Sequence, residues 1–289
     1  MKSFPKHGFE PNMPADEWSL SLIKENSDKF TQDIYSDEHT GLSVKYNIFL
    51  PDGYDGEKLP MIVFIGDASL VSKDVIVPIK YTADGVIWAS DSEQQKHKSI
   101  VVVPCYETVV LDDHNGFYKS EYLELTARMI ISLAERYNAD QSRIYGTGQS
   151  MGAMMALYLA SQHPDHYAAV LIVDGQWDIS DLADLPATKF TYIAAKGDKK
   201  AYGGLAEVKQ MLDSRNISYG TLEDIDAKAD RQESDHLAKK MYSEGHSHNF
   251  ITFKEGSVLD DPNEHEHMAS FKYGYKIDAV RDWLFEQTK

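Results

Sequence analysis

The sequence predicts an α/β protein with a mostly parallel sheet and helices on both faces. Three observations carry this. Continuous apolar runs recur at MIVFIGD (61–67), SIVVVPCY (99–106), AAVLIVDG (168–175) and FTYIAAKGD (190–198), the mark of strands buried on both faces. Stretches of helical period lie between them, as crossovers between parallel strands require. No linker, repeat or low-complexity stretch divides the chain. One domain is therefore expected over 29–289, after a loosely structured lead-in at 1–28.

The elements follow in order. LSVKYNIFLP (42–51) alternates and ends at the Pro51-Asp52-Gly53 turn, a strand signature. The runs at 61–67 and 99–106 are buried strands. Leu123, Ala127, Ile130, Ile131 and Ala134 share one face of a helix over 121–137. RIYGTG (143–148) reads as a strand, and 151–162 as a helix that stops at His163-Pro164. After the strands at 168–175 and 190–198 come a helical stretch at 203–214, an extended run at 217–225 and a polar helix at 230–245. A strand at 248–256 and an amphipathic final helix at 276–287 complete the chain.

Composition bounds the function. The 289 residues carry a formal net charge of −17, which repels nucleic acid and anionic lipid; neither is an expected partner. The single cysteine, Cys105, lies in a buried-strand pattern and reads as an inert core thiol, so no disulfide framework exists. No run approaches the roughly 18 apolar residues of a membrane span, and the N-terminus lacks an apolar signal region. A cytoplasmic protein is expected, or a secreted one whose signal has been removed.

Gly148-Gln149-Ser150-Met151-Gly152 matches G-x-S-x-G between a strand and a helix. On such a sharp turn the serine is forced into sparsely allowed backbone space, and small residues on either side leave room for close backbone approach. Ser150 is the expected nucleophile. The Met151 amide, at the helix N-terminus, is an expected oxyanion donor.

The stretch RIYGTGQSMGAMMALYLASQHPDHYAAVLIVDGQWD resembles the nucleophile region of α/β-hydrolases. Within them it is most similar to feruloyl esterases, polyhydroxybutyrate depolymerases and predicted bacterial serine peptidases. HMASFKYGYKIDAVRDWLFEQ resembles the histidine segment and last helix of that group, and the similarity spans about 42–288. The resemblance implies an α/β-hydrolase fold and a triad in the order serine, acid, histidine. His267 is favoured as base because it follows the last strand and precedes the final helix; His265 and His236 remain alternatives. Asp198, just past a strand end, is the expected acid, with Asp174 and Asp226 as alternatives. His39, His97, His114 and His7 are set aside; His163 and His166 read as surface groups. The H-x-H pairs at 246/248 and 265/267 are not read as a metal site, and neither metal nor cofactor is expected.

The family's second oxyanion donor comes from the loop after the third strand, often marked by His-Gly. Here Gly66-Asp67 stands in that place, so the amide of Asp67 or Ala68 is expected to serve; alternatively the Asp67 carboxylate caps the loop. Residues 226–266 exceed the usual spacing and are a candidate insertion; if that insertion is peripheral, His236 stands in as base. Tyr106, Phe117, Tyr118, Trp177 and Tyr202 are expected to wall an aromatic cleft for a small-molecule ester. The reading is a carboxylesterase working through an acyl-enzyme. A serine peptidase of the same fold and a non-catalytic binding protein are the alternatives. Activity is expected to rise through one ionisation near the ordinary histidine value of about 6.5. Oligomeric state is not legible.

Overall fold

The computed structural model describes residue 14 and residues 16–289. Among the described residues there are eleven strands: β1 (Thr31–Ser36), β2 (Ser43–Phe49), β3 (Met61–Ile65), β4 (Ile100–Cys105), β5 (Leu111–Asp112), β6 (Tyr118–Lys119), β7 (Ile144–Gln149), β8 (Ala169–Val173), β9 (Lys189–Ala195), β10 (Gly220–Ile225) and β11 (His248–Phe253). Nine form one sheet in the order β1-β2-β4-β3-β7-β8-β9-β11-β10, while β5 and β6 make a small hairpin. The pairs β1–β2 and β2–β4 are antiparallel, and the remaining pairs of the large sheet are parallel.

Side-chain alternation along the strands feeds two separate cores. Met61, Val63 and Ile65 of β3 face a layer built with helices Tyr122–Arg136, Met151–Gln162 and Lys199–Ser214. Ile62 and Phe64 face the opposite layer, where Trp88, Met241, Phe271, Tyr275 and Trp283 pack. The sheet is therefore covered on both sides, and β3, β4, β8 and most of β9 are buried along their length. Cys105 is buried, its S–H directed at the carbonyls of Ser72 and Asp74, and burial pushes its thiol up to about 12. No helix among the described residues is long and apolar enough to cross a membrane.

Three features depart from the sequence reading. Within the lead-in, Glu17–Asn26 is a helix, capped by the Asp16 carboxylate and packed through Ile23; residues 1–13 and 15, with His7, lie outside the described residues. The segment 226–266 is not peripheral, because β11 lies between β9 and β10 inside the sheet. A helix at Glu266–Lys276 precedes the final helix Asp278–Glu286. Its Phe271, Tyr273 and Tyr275 recur at every second residue, which mimics a strand, and Lys272 and Gly274 interrupt any apolar stripe. Tertiary packing settles it: Phe271 and Tyr275 share one helical face, and a Cβ on Gly274 would lie 3.0 Å from Val173 Cγ1. The helix thus lies close on the sheet.

The carboxyl ends of the parallel strands share one edge of the sheet, where ligands of open α/β sheets bind. The turns after β3, β4, β7, β8, β9 and β11 all emerge there. A surface depression lined by Lys58, Glu135, Asn138 and Asp140 lies at the other edge, beside the start of β7.

Candidate active site

Ser150 follows the central strand and caps the helix Met151–Gln162 with φ 50° and ψ −118°. A serine in this region costs about 1–3 kcal/mol. Burial of one large apolar side chain contributes about 1.5–3 kcal/mol, and Met155, Leu157 and Leu159 of the same helix are fully buried, so packing offsets the strain. Close backbone approach fixes the turn. A Cβ on Gly152 would lie 1.9 Å from the Ile65 carbonyl oxygen, and one on Gly148 would lie 2.4 Å from the Gly152 carbonyl carbon. Only glycine fits either position. The Ser150 amide donates to the Val173 carbonyl at 3.1 Å, tying the elbow to β8.

The structure brings Ser150, His267 and Asp198 together. Ser150 Oγ lies 2.8 Å from His267 Nε2, and His267 Nδ1 lies 2.5 Å from Asp198 Oδ2. Asp198 is buried at the end of β9, where its other oxygen accepts the Ala201 amide at 3.2 Å. Its neighbouring lysines pair elsewhere: Lys196 with Asp224, Lys199 with Glu255 and Lys200 with Asp113. With Nδ1–H donating to the carboxylate, the Nε2 lone pair faces the serine hydroxyl. Burial alone would lower the imidazole pKa. The Asp198 hydrogen bond and charge, helped by Asp174 and Asp67, outweigh it and hold His267 above its ordinary value.

The competing residues lie elsewhere. Asp174 directly follows β8, fully buried at φ 44°, accepting from the Ala195 amide at 2.8 Å and from the Ser270 hydroxyl at 2.6 Å. Burial pushes its carboxyl up to about 7. It therefore braces the helix that carries His267. Asp226 is exposed and caps a turn through the Lys228 amide. His236 and His265 are exposed. His248 sits at the start of β11 with the Pro186 carbonyl at 3.1 Å, and His246 lies near Glu244. His97 stacks on Phe285 and bonds Asp282, while His163 bonds Glu124 and stacks on His166.

The 66–68 turn packs against the elbow, as the Ile65 and Gly66 carbonyl contacts of Gly152 show. The Asp67 carboxylate spans it, accepting the Ser69 amide at 2.8 Å and Gln149 Nε2 at 2.9 Å. The cap expected of this carboxylate is thus present, and it also joins the turn to the residue before Ser150. Met151, first in its helix, offers an amide without an intrahelical acceptor, and Ala68 opens the short turn beside it.

The expected aromatic wall is only partly assembled. Tyr106 is core: it is 4% exposed, and its hydroxyl lies 2.7 Å from Thr126 Oγ1, so it forms no cleft surface. Trp177 is buried too, its indole N–H donating to Asp181 at 2.9 Å. Its ring meets Phe117 edge-on at 5.1 Å and serves as backing. Phe117 and Tyr118 are exposed at the β5–β6 hairpin. Tyr202 is half-buried in the first turn after Asp198, beneath Lys196. Two contacts hold the hairpin region near the elbow: the Val110 amide on Met151 Sδ, and Asp113 on Gln176 Nε2 at 2.6 Å. Asp112, Asp113 and His114 are close enough to share an ion, but Asp113 is already bonded to Gln176 and Lys200.

Sequence comparison agrees with this architecture. The family model described as "Putative esterase" matches residues 38–271. The acetylxylan esterase A of Aspergillus oryzae is 30% identical over 131 residues, 40% of this chain and 42% of that protein. A probable acetylxylan esterase A of Aspergillus flavus is 30% identical over 137 residues, 43% of this chain and 44% of that protein. The chain thus spans less than half the length of these curated relatives. Among solved structures, a thermostable esterase superposes with a TM-score of 0.66 at 22% identity, covering 92% of this chain and 64% of that one. The feruloyl esterase module of Clostridium thermocellum, complexed with sinapinate, gives 0.54 at 14% identity, covering 96% and 95%. At these identities the structural matches speak for the α/β-hydrolase fold alone.

Proposed function

The chain belongs to this esterase family, and from that premise we propose that it is a serine carboxylesterase whose triad is Ser150, His267 and Asp198. The observation that carries the reading is the continuous hydrogen-bonded run from Ser150 Oγ through both ring nitrogens of His267 to Asp198. His267 takes the serine proton as Oγ attacks the ester carbonyl. Asp198 holds the tautomer and balances the imidazolium. The amides of Met151 and of Asp67 or Ala68 receive the developing oxyanion. Imidazolium then protonates the leaving alcohol, and water, activated by the same imidazole, cleaves the acyl-enzyme. No step requires a metal or cofactor. The acetylxylan esterase relatives favour a small acyl group on a carbohydrate alcohol, with exposed Phe117 a platform for the alcohol side.

The decisive comparison is kcat/KM for a p-nitrophenyl ester against a p-nitroanilide of the same acyl group. The ester is expected to react far faster, and a ratio near or below one transfers the assignment to a peptidase. Failure of a fluorophosphonate probe to label the protein stoichiometrically points instead to a non-catalytic fold.

The electrostatics refine the pH dependence. Only neutral imidazole accepts the proton, so kcat/KM rises as His267 deprotonates. Because the folded protein holds that group above its ordinary value, the midpoint is expected above about 6.5. A kcat/KM titration of wild type checks this; a midpoint at or below that value contradicts the charge balance described here.

A further inference from the structure

We propose that Glu266 is a positioning residue that locks the histidine segment onto the acid loop. This rests on the triad reading above and extends it to a residue with no place in the triad. Glu266 Oε2 accepts the Gly197 amide at 2.8 Å, and Oε1 accepts the Gly256 amide at 2.6 Å. Gly197 immediately precedes Asp198, and Gly256 lies in the turn after β11. One carboxylate therefore ties the acid-bearing loop to the segment that leads into His267, the next residue in the chain.

The fit depends on a missing side chain. A Cβ on Gly197 would lie 1.9 Å from Glu266 Cδ and 2.0 and 2.1 Å from its oxygens. The carboxylate occupies the space that glycine leaves empty. Two backbone N–H donors on one ionised group are charge-assisted hydrogen bonds, roughly twice as strong as neutral ones. On the far side of His267, the Ser270 hydroxyl bonds both Asp174 and the His267 carbonyl. Loss of Glu266 leaves that second anchor in place. The helix should stay docked while the imidazole loses its fixed distance to Asp198 and Ser150. Reaction requires near-attack geometry, and a displacement of about 1 Å can lower the rate about 100-fold.

The test compares wild type with Glu266→Gln and Glu266→Ala. Glutamine keeps the shape and one acceptor oxygen but turns an N–H₂ toward the second amide. On a p-nitrophenyl ester, kcat is expected to fall about 10-fold in Glu266→Gln and about 100-fold in Glu266→Ala, with KM within twofold. The low-field proton resonance between His267 Nδ1 and Asp198 should broaden or disappear in Glu266→Ala, while far-UV circular dichroism stays unchanged. If Glu266→Ala does not fold, the same readouts on the near-isosteric Glu266→Gln decide. A kcat within twofold of wild type with an unchanged resonance, in a folded variant, overturns the proposal. If instead Ser150→Ala retains activity, the triad reading itself has failed.

Discussion

Ser150→Ala is expected to fold normally and to lose ester hydrolysis by on the order of 10⁴-fold or more. Deleting a triad nucleophile removes the covalent route altogether, and the small rate that remains comes from substrate binding and the oxyanion donors. The fold should survive because, among the described residues, Oγ bonds only His267, while the backbone bonds of the elbow do not involve the side chain. The measurement is kcat/KM on a short-chain aryl ester, with circular dichroism as control. More than a tenth of wild-type activity in a clean preparation sinks the assignment of the nucleophile.

The second large effect separates two buried aspartates. Asp198→Asn keeps the shape of the side chain but presents either an amide N–H₂ or a weaker neutral acceptor to His267 Nδ1. The imidazole then favours the wrong tautomer and cannot take the serine proton, and a loss of about 10⁴-fold in kcat is expected by analogy with the matching change in serine proteases. Asp174→Asn should behave differently. Its carboxyl is pushed up to about 7 by burial and acts as a hydrogen-bonding partner of Ala195 and Ser270, not of the imidazole. Near neutral pH an amide can replace much of that, so a loss under about 10-fold is expected. The reverse ranking of the two variants would move the acid of the triad to β8.

Much of this site is legible in the sequence because local rules and tertiary demands agree there. The serine turn is announced by Gly148 and Gly152, whose absent side chains are needed in the three-dimensional contact. The buried strands show as unbroken apolar runs because helices cover both faces. What is not legible depends on partners distant in sequence. Tyr106 reads as a pocket aromatic until Thr126 is seen to hold its hydroxyl. The helix Glu266–Lys276 hides behind a two-residue aromatic spacing, and only its contact with β8 and β9 explains it. The link from Asp67 to Gln149 spans 82 residues, and the raised His267 pKa depends on carboxylates from three separate turns. Glu266 has no motif of its own; its signal is the glycine directly before Asp198, which has meaning only once the Glu266 carboxylate is seen to fill the gap.

The position of β11 has a consequence for biosynthesis. Among the described residues β10 is bonded within the large sheet only to β11, although it precedes β11 in the chain. Its neighbour in the sheet, β11, is made after it and stands between it and β9. Ser150 is separated from His267 by 117 residues and Asp198 from it by 69. A ribosome adding about 5–20 residues each second therefore makes the serine turn several seconds before His267. On the proposed triad, the growing chain carries an unarmed serine throughout that interval, and hydrolytic competence waits for the segment that bears His267.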